Sequence, residues 1–152
     1  MSLKILMKRF MGILLLMLVT SFCFAAEDKL IGNWETRDSK SHAATSVIKI
    51  WKSGGKYFGK VVKVYLVNGA KTTDVCDKCR GAQHNKPMLG LMIIKNVHAK
   101  GITYEGGTIL DPRDGKEYHV ILTPSADGRT LAVRGYIGVP LLGRTDTWYR
   151  VK

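Results

Sequence analysis

The sequence lacks the spacing patterns that identify several common classes of enzyme. No serine stands in a G-x-S-x-G elbow, no glycine-rich phosphate loop is present, and the four histidines show no H-x-x-x-H or H-x-H spacing. Asp111 and Asp114 flank Pro112 as ordinary turn residues and need no acid–base role. These absences predict a protein that is not an enzyme and that holds neither a cofactor nor a metal.

A long apolar run is also missing, except within the first 25 residues. There, three basic residues precede the uncharged segment 10–24, which is short for a membrane span of about 20 residues but suits a signal peptide. The small residues Cys23 and Ala25 favour cleavage after Ala25. We therefore expect a signal peptide at residues 1–25, one domain at residues 26–152, and a periplasmic or secreted protein.

Acidic residues are scarce, with 12 against 24 basic ones. Cleavage after Ala25 removes Lys4, Lys8 and Arg9, which leaves 21 basic and 12 acidic residues and a net charge of +9. An exported protein with this charge is attracted to anionic envelope surfaces such as lipid headgroups, lipopolysaccharide and acidic polymers. The lysines are scattered and no nucleic-acid-binding motif accompanies them, so nucleic acid is not an expected partner.

Short β-rich runs separated by turn signals make up the rest of the chain. They cover residues 45–51, 56–67, 89–97, 102–110, 117–123, 131–137 and 144–151, with a first strand near Trp34. About eight or nine strands at this spacing indicate an all-β antiparallel barrel or sandwich. Lys60 and Lys63 are three residues apart, so in a regular strand their side chains would point to opposite faces. A bulge at Gly59 is the favoured explanation. Residues 68–87 form a long loop of the kind that is functional or anchored.

Only two cysteines, Cys76 and Cys79, remain after the predicted cleavage. In an oxidising compartment they are expected to form a disulfide that shapes the long loop. A structural zinc site needs four ligands, and only His84 is near enough to add a third. A thioredoxin-type centre places C-x-x-C at a strand-to-helix turn, whereas the flanks here are all β. Metal and thiol redox chemistry therefore stay as the less favoured alternatives.

Several motifs follow one another along the chain. They are Gly32-Asn33-Trp34, Tyr57-Phe58-Gly59-Lys60-Val61, Pro87-x-x-Gly90-Leu91, Asp111-Pro112-x-x-Gly115-Lys116-x-Tyr118, Leu131-x-Val133-Arg134-Gly135-Tyr136 and Gly143-Arg144-x-x-x-Trp148-x-Arg150. With these motifs in this order, the chain resembles an exported bacterial family catalogued as domain of unknown function 2147, over about residues 32–151. This resemblance implies a single lipocalin-like (calycin-like) β-barrel, secreted or periplasmic, and it supplies no biochemical activity.

The two ends of the domain are expected to meet. In a closed antiparallel barrel the first strand pairs with the last, so Trp34 should lie near Arg150. A guanidinium over an indole ring is a cation–π contact. In calycins a tryptophan and an arginine have this role at the closed end of the barrel, so the resemblance implies that Trp34 and Arg150 are structural.

A barrel of about eight strands either fills with side chains or holds one small ligand, and the sequence leaves both open. For a cavity, we predict contacts from Tyr104, Arg134, Tyr136, Arg144 and Trp148. The arginines would fix an anionic headgroup and the aromatic rings would cover an apolar tail.

The leading hypothesis is therefore a non-catalytic exported protein that binds a small amphipathic or anionic ligand. The alternative is an envelope interaction protein, in which the barrel is a scaffold for the basic surface or for the loop at residues 68–87. A thiol–disulfide redox protein is less favoured than either.

Overall fold

A computed structural model of the chain describes residues 28–65 and 75–152. The predicted signal peptide at residues 1–25 and the predicted start of the mature chain at Ala26 lie outside the described residues. The same is true of residues 66–74 in the predicted long loop. Within the described ranges, we find no helical segment with the length and apolar character of a membrane span.

Eight antiparallel strands form a closed barrel in which each strand pairs with its neighbours in the chain and the last pairs with the first. This architecture confirms the predicted all-β barrel and sets the number of strands at eight. Short 3-10 turns lie at Gly81–Gln83 and Pro140–Leu142. The strands are β1 (Gly32–Arg37), β2 (Ala44–Ser53), β3 (Lys56–Val64), β4 (Met92–Lys100), β5 (Thr103–Asp111), β6 (Lys116–Pro124), β7 (Thr130–Tyr136) and β8 (Arg144–Val151).

The barrel has two distinct ends. The lower end contains the segment 28–31, the turns at 54–55, 101–102 and 125–129, and the end of β8. The upper end contains the connections at 38–43, 112–115 and 137–143, together with residue 65 and the described residues 75–91 between β3 and β4. The described segment that carries the cysteines therefore lies at the upper end.

Alternation along each strand separates an inner face from an outer face. In β7, Leu131 and Val133 point into the barrel and have relative exposures of 0% and 5%. Because side chains alternate along a strand, Arg134 and Tyr136 lie on its outer face. The apolar face of this strand is therefore the inner one, and the alternative of a polar lumen on this strand does not apply.

The predicted bulge in β3 is present, but its extra residue against β2 is Val62, between Val61 and Lys63, rather than Gly59. Because of this extra residue, the side chains of Lys60 and Lys63 point to the same face, and both are exposed on the outside of the barrel. Against β4, the register does shift on both sides of Gly59.

The middle and lower parts of the barrel are packed with side chains. A void large enough for water would give the side chains around it accessible surface, but the inward side chains at these levels have almost no accessible surface. The inward side chains at this level, with exposures of 0–6%, are Trp34, Ile48, Ile50, Tyr57, Val61, Ile94, Val97, Val120, Leu122, Leu131, Val133 and Trp148. Leu30, also fully buried, closes the lower end, and its carbonyl accepts a hydrogen bond of 2.9 Å from Nε1 of Trp34.

Candidate functional site

The predicted disulfide between Cys76 and Cys79 is present, with the two Cα atoms 5.3 Å apart. Both cysteines are almost fully buried. The Sγ atom of Cys76 lies 3.9 Å from the carbonyl oxygen of Pro112 in the β5–β6 turn. Gly115, in the same turn, has φ of +71° and no room for a Cβ, because the carbonyl of Lys78 lies against it. The disulfide segment is therefore docked on this turn as a structural unit.

The closed lower end contains the predicted contact between Trp34 and Arg150. These residues are opposite each other in the β1–β8 pairing, and the guanidinium lies 4.3 Å from the centroid of the Trp34 ring. Arg150 also donates hydrogen bonds to the carbonyls of Gly128 (2.5 Å), Ile31 (3.0 Å) and Lys29. Because each of its three guanidinium nitrogens donates a hydrogen bond to a backbone carbonyl and the guanidinium lies over the Trp34 ring, Arg150 has a structural environment.

Tyr104, one of the predicted ligand contacts, lies at the lower end beside Tyr57. The rings meet edge to face with centroids 4.9 Å apart, and both hydroxyl groups donate hydrogen bonds to the carboxylate of Asp28. Burial, together with the hydrogen bond to Asp28, raises the pKa of Tyr57 to about 12. The same causes raise the pKa of Tyr104 above its ordinary value. Both tyrosines are thus protonated donors that help to close the lower end.

Two other predicted contacts, Arg134 and Tyr136, lie on the outer wall. Arg134 donates hydrogen bonds to the carbonyls of Pro140 (2.8 Å) and Leu141 (3.2 Å) and to Oγ1 of Thr145 (2.8 Å), so it holds the β7–β8 connection. Tyr136 packs against His119, with ring centroids 5.4 Å apart.

Tyr136 also borders a wide depression of about 460 Å³ on the outer wall. Its lining includes Lys100 and Glu105, which form an ion pair with each other. Because the depression is open and its charges are already paired, it offers a small molecule little enclosure.

A group of charged side chains lies inside the upper end of the barrel, where β5, β6 and β8 meet. We call Asp111, Arg113, Arg144 and Asp146 the mouth cluster. Arg113 binds Asp111 through two parallel hydrogen bonds, Nε to Oδ1 at 2.9 Å and Nη2 to Oδ2 at 2.7 Å. Asp146 lies 3.6 Å from a guanidinium nitrogen of Arg113 and 3.6 Å from one of Arg144. The cluster therefore joins the β5–β6 turn to the last strand.

The two acids and two bases of the mouth cluster are not equally engaged. Burial acts to raise the pKa of Asp111, but the hydrogen bonds and charge of Arg113 and the charge of Arg144 hold it below its ordinary value. Among the described residues, Arg144 has no hydrogen bond of 3.5 Å or less, and its side chain is 66% exposed. Its guanidinium thus has donors available for an anion that reaches the mouth.

Below the mouth cluster, the barrel interior ends in a floor. Trp148 and Val133 retain exposures of 6% and 5%, whereas Leu131, the cross-strand partner of Trp148, and Trp34, nearer the lower end, have none. Access for water therefore stops at the level of Trp148. The space above this floor is a shallow cup at the mouth rather than a deep lumen.

Of the five predicted ligand contacts, the structure brings Arg144 and Trp148 together on the inner face of β8. Tyr104 is at the lower end, and Arg134 and Tyr136 are outside. Sequence patterns indicated only a turn role for Asp111 and gave no role to Arg113. The available signal was the D-P-R-D-G turn, which places three charged residues at one end of a hairpin. Among the described residues, no three His, Cys, Asp or Glu side chains cluster as a metal site would require.

Comparison with known proteins gives a family and a fold. Residues 32–150 match the profile of a family described as "Uncharacterized protein conserved in bacteria (DUF2147)". Among solved structures, protein HP1028 from Helicobacter pylori, described as belonging to the lipocalin family, matches with a TM-score of 0.68 and 21% sequence identity. The match covers 81% of this chain and 83% of that one. It shows the fold alone, a lipocalin-like barrel, as the motifs predicted. No protein of curated function matches the chain.

Proposed function

This chain belongs to the bacterial family DUF2147, and from that premise we propose that it is an exported, non-catalytic protein that binds a small anionic or amphipathic molecule. The observation that carries the proposal is the exposed guanidinium of Arg144 above the floor formed by Trp148. A binding site at the mouth is compatible with the packed interior, because the ligand does not have to enter the lower barrel.

The mouth cluster has the composition of an anion site. An arginine binds a carboxylate or phosphate through two parallel hydrogen bonds, and Arg144 retains its donors for such a contact. Asp146, at 3.6 Å from both arginines, keeps the two guanidinium groups close together despite their like charge. An apolar part of the ligand would lie against the rim of the cup and Trp148. The net charge of +9 expected for the mature chain attracts anions toward the protein.

The non-catalytic part of the proposal is supported by the chemistry of the same residues. A general base works best when its pKa lies near the pH at which it operates. The pKa of Asp111 is instead held below its ordinary value by Arg113 and Arg144, after burial has acted in the other direction. Two arginines that are paired with two aspartates suit binding better than proton transfer.

Export is supported by the pattern of the first 25 residues and by the disulfide. Disulfides such as Cys76–Cys79 persist in oxidising compartments, including the periplasm and the extracellular space. A periplasmic or secreted protein therefore accounts for both features.

A titration with dodecanoate and dodecyl phosphate, followed by calorimetry, tests the proposed site. We expect saturable binding that Arg144→Gln weakens about tenfold or more, because a hydrogen-bonded charge pair is lost. Arg129→Gln is the matched control, since Arg129 is an 85% exposed arginine on a lower-end turn; its affinity should stay within about twofold of the wild type. Equal affinities for the two variants, or no binding by the wild type, would reject the mouth as a ligand site.

A further inference from the structure

The outer face of the β2–β3 hairpin carries a regular arrangement of lysines and aromatic rings. Because Ile48, Ile50 and Tyr57 point inward, the residues next to them in each strand point outward. We call this outward set the lysine–aromatic ladder. Its rungs are the cross-strand pairs Val47–Lys63, Lys49–Lys60, Trp51–Phe58 and Ser53–Lys56.

The aromatic rung forms a flat platform. The rings of Trp51 and Phe58 are stacked, with centroids 6.1 Å apart and planes inclined by 28°. Both residues are partly exposed, and the Nζ atom of Lys60 lies 5.8 Å from the centroid of the Trp51 ring. The platform has lysine rungs on both sides, because Lys49 and Lys60 lie on one side and Lys56 lies on the other.

The charge of the ladder is not balanced within the protein. Lys49 and Lys60 are directly opposite each other, an arrangement that destabilises a sheet when the charges are alike. Among the described residues, no carboxylate lies within 4.0 Å of Lys49, Lys56, Lys60 or Lys63. Lysines often protect the edge strands of open sheets, but this barrel is closed and has no edge. The ladder is therefore a cationic surface that neither the closed fold nor an acidic partner within residues 28–65 and 75–152 explains.

We propose that the lysine–aromatic ladder binds an acidic saccharide chain, in which sugar rings carry carboxylate or phosphate groups. Rungs on one face of a sheet repeat at about 6.7 Å, so four rungs extend over about 20 Å, the length of several linked sugars. The flat platform of Trp51 and Phe58 matches the apolar face of a sugar ring. The lysines, as flexible point charges, match anionic groups spaced along the chain.

Two other polyanions fit the ladder less well. Insertion into a lipid bilayer needs apolar side chains that project beyond the lysines, whereas Trp51 and Phe58 lie against the sheet and are only partly exposed. Single-stranded nucleic acid also stacks on aromatic rings beside lysines, but the expected location outside the cytoplasm favours saccharides. The ladder is on the outer wall, away from the mouth cluster, so it does not depend on the proposed mouth site, although the choice of a saccharide rests on the export that is part of the proposed function.

Binding of polygalacturonate and of a phosphorylated mannan, measured on immobilised polymer at moderate salt, tests the proposal. The double variant Lys49→Gln/Lys60→Gln should weaken binding about tenfold or more, because two adjacent charges in the centre of the contact are lost. The double variant Lys40→Gln/Lys86→Gln removes the same charge from exposed positions in upper-end loops and should stay within about twofold of the wild type.

A third variant, Trp51→Leu, separates stacking from charge. It should weaken binding to both saccharides several-fold and leave binding to inorganic polyphosphate unchanged, since that polymer has charge but no rings. Melting temperatures of all variants establish that they are folded. Equal losses in the two double variants would overturn the proposal, as would absence of binding to both saccharides. Tighter binding to phosphatidylglycerol vesicles or to single-stranded DNA through the same lysines would also overturn it and assign the ladder to that partner.

Discussion

Single side chains, rather than a further strand, close the lower end of the barrel. Arg150 joins the last strand to the segment before β1 through the carbonyls of Lys29 and Ile31, and it covers the ring of Trp34. Tyr57 and Tyr104 also hold this segment in place, because both hydroxyl groups donate hydrogen bonds to the carboxylate of Asp28. These residues hold the start of the described domain against its end, and none of them borders the mouth.

The tyrosine pair makes the stability of the barrel sensitive to alkaline pH. The pKa of Tyr57, raised by burial and by its hydrogen bond to Asp28, is about 12 in the folded protein, against an ordinary value of 10.0. The folded state therefore binds this proton more tightly than the unfolded chain does. The resulting stabilisation is complete below pH 10 and is lost as the pH rises through about 12.

We expect Tyr57→Phe, which lacks the titrating hydroxyl, to lose less stability than the wild type between these pH values. Urea unfolding midpoints followed by circular dichroism across this range give the two pH profiles. Tyr149→Phe, at a half-exposed position on the outer face of β8, is the control and should follow the wild type. Parallel profiles for the wild type and Tyr57→Phe would contradict the proposed role of this hydroxyl.

At the scale of strands, the period-two pattern and the turn residues predicted most of the barrel. The runs 117–123, 131–137 and 144–151 correspond closely to β6, β7 and β8. Closure of the barrel also predicted the β1–β8 pairing correctly. These features depend on neighbours in the chain, or on a rule that holds for any antiparallel barrel, so they can be derived without coordinates.

The location of the bulge in β3 depends on packing and was not predictable. For Lys60 and Lys63 to point to the same face, the strand needs one extra residue, and the sequence predicts it at Gly59 because glycine is common at bulges. Against β2 the extra residue is Val62, whereas the register against β4 shifts on both sides of Gly59. A Cβ at Gly59 would lie 3.0–3.3 Å from the side chain of Ile94, so the glycine is needed to let β4 approach.

The mouth cluster was only partly predictable for a similar reason. Alternation placed Arg144 and Trp148 on one face of the last strand, as the structure has them. Their partners, Asp111 and Arg113, come from a hairpin more than thirty residues earlier in the chain. The contact between Arg113 and Asp146 is set by the register of β5 to β8 around the barrel, which local sequence patterns do not specify.

The disulfide segment should be an independent element rather than a support for the whole barrel. Closing a loop of about four residues stabilises the folded state by about 2 kcal/mol or less in the chain-entropy account. We expect Cys76→Ala/Cys79→Ala to raise amide hydrogen exchange strongly in residues 75–91 and to change the free energy of global unfolding by a similarly small amount. Hydrogen exchange with mass spectrometry separates the two effects. An equal rise of exchange in all eight strands would contradict this account.

For the molecule as a whole, the packed interior determines both stability and the depth available to a ligand. The inward side chains below Trp148 have almost no exposed surface, so the barrel contains one continuous core around which all eight strands close. The ligand proposed above would therefore lie at the mouth of the barrel and not along its axis. The same packing makes every strand depend on each central side chain, which gives a direct test of the filled barrel.

Leu131→Ala removes a fully buried side chain that is paired with Trp148 in the centre of the barrel. We expect a loss of about 2 to 4 kcal/mol in the free energy of unfolding, because the rigid wall cannot collapse onto the cavity. Ile137→Ala, at a position that is 63% exposed in the connection that follows β7, should change stability by less than about 0.5 kcal/mol. Urea unfolding measures both. A loss below about 1 kcal/mol for Leu131→Ala would mean that the centre of the barrel is open, and a deep ligand cavity would then replace the shallow cup as the site to test.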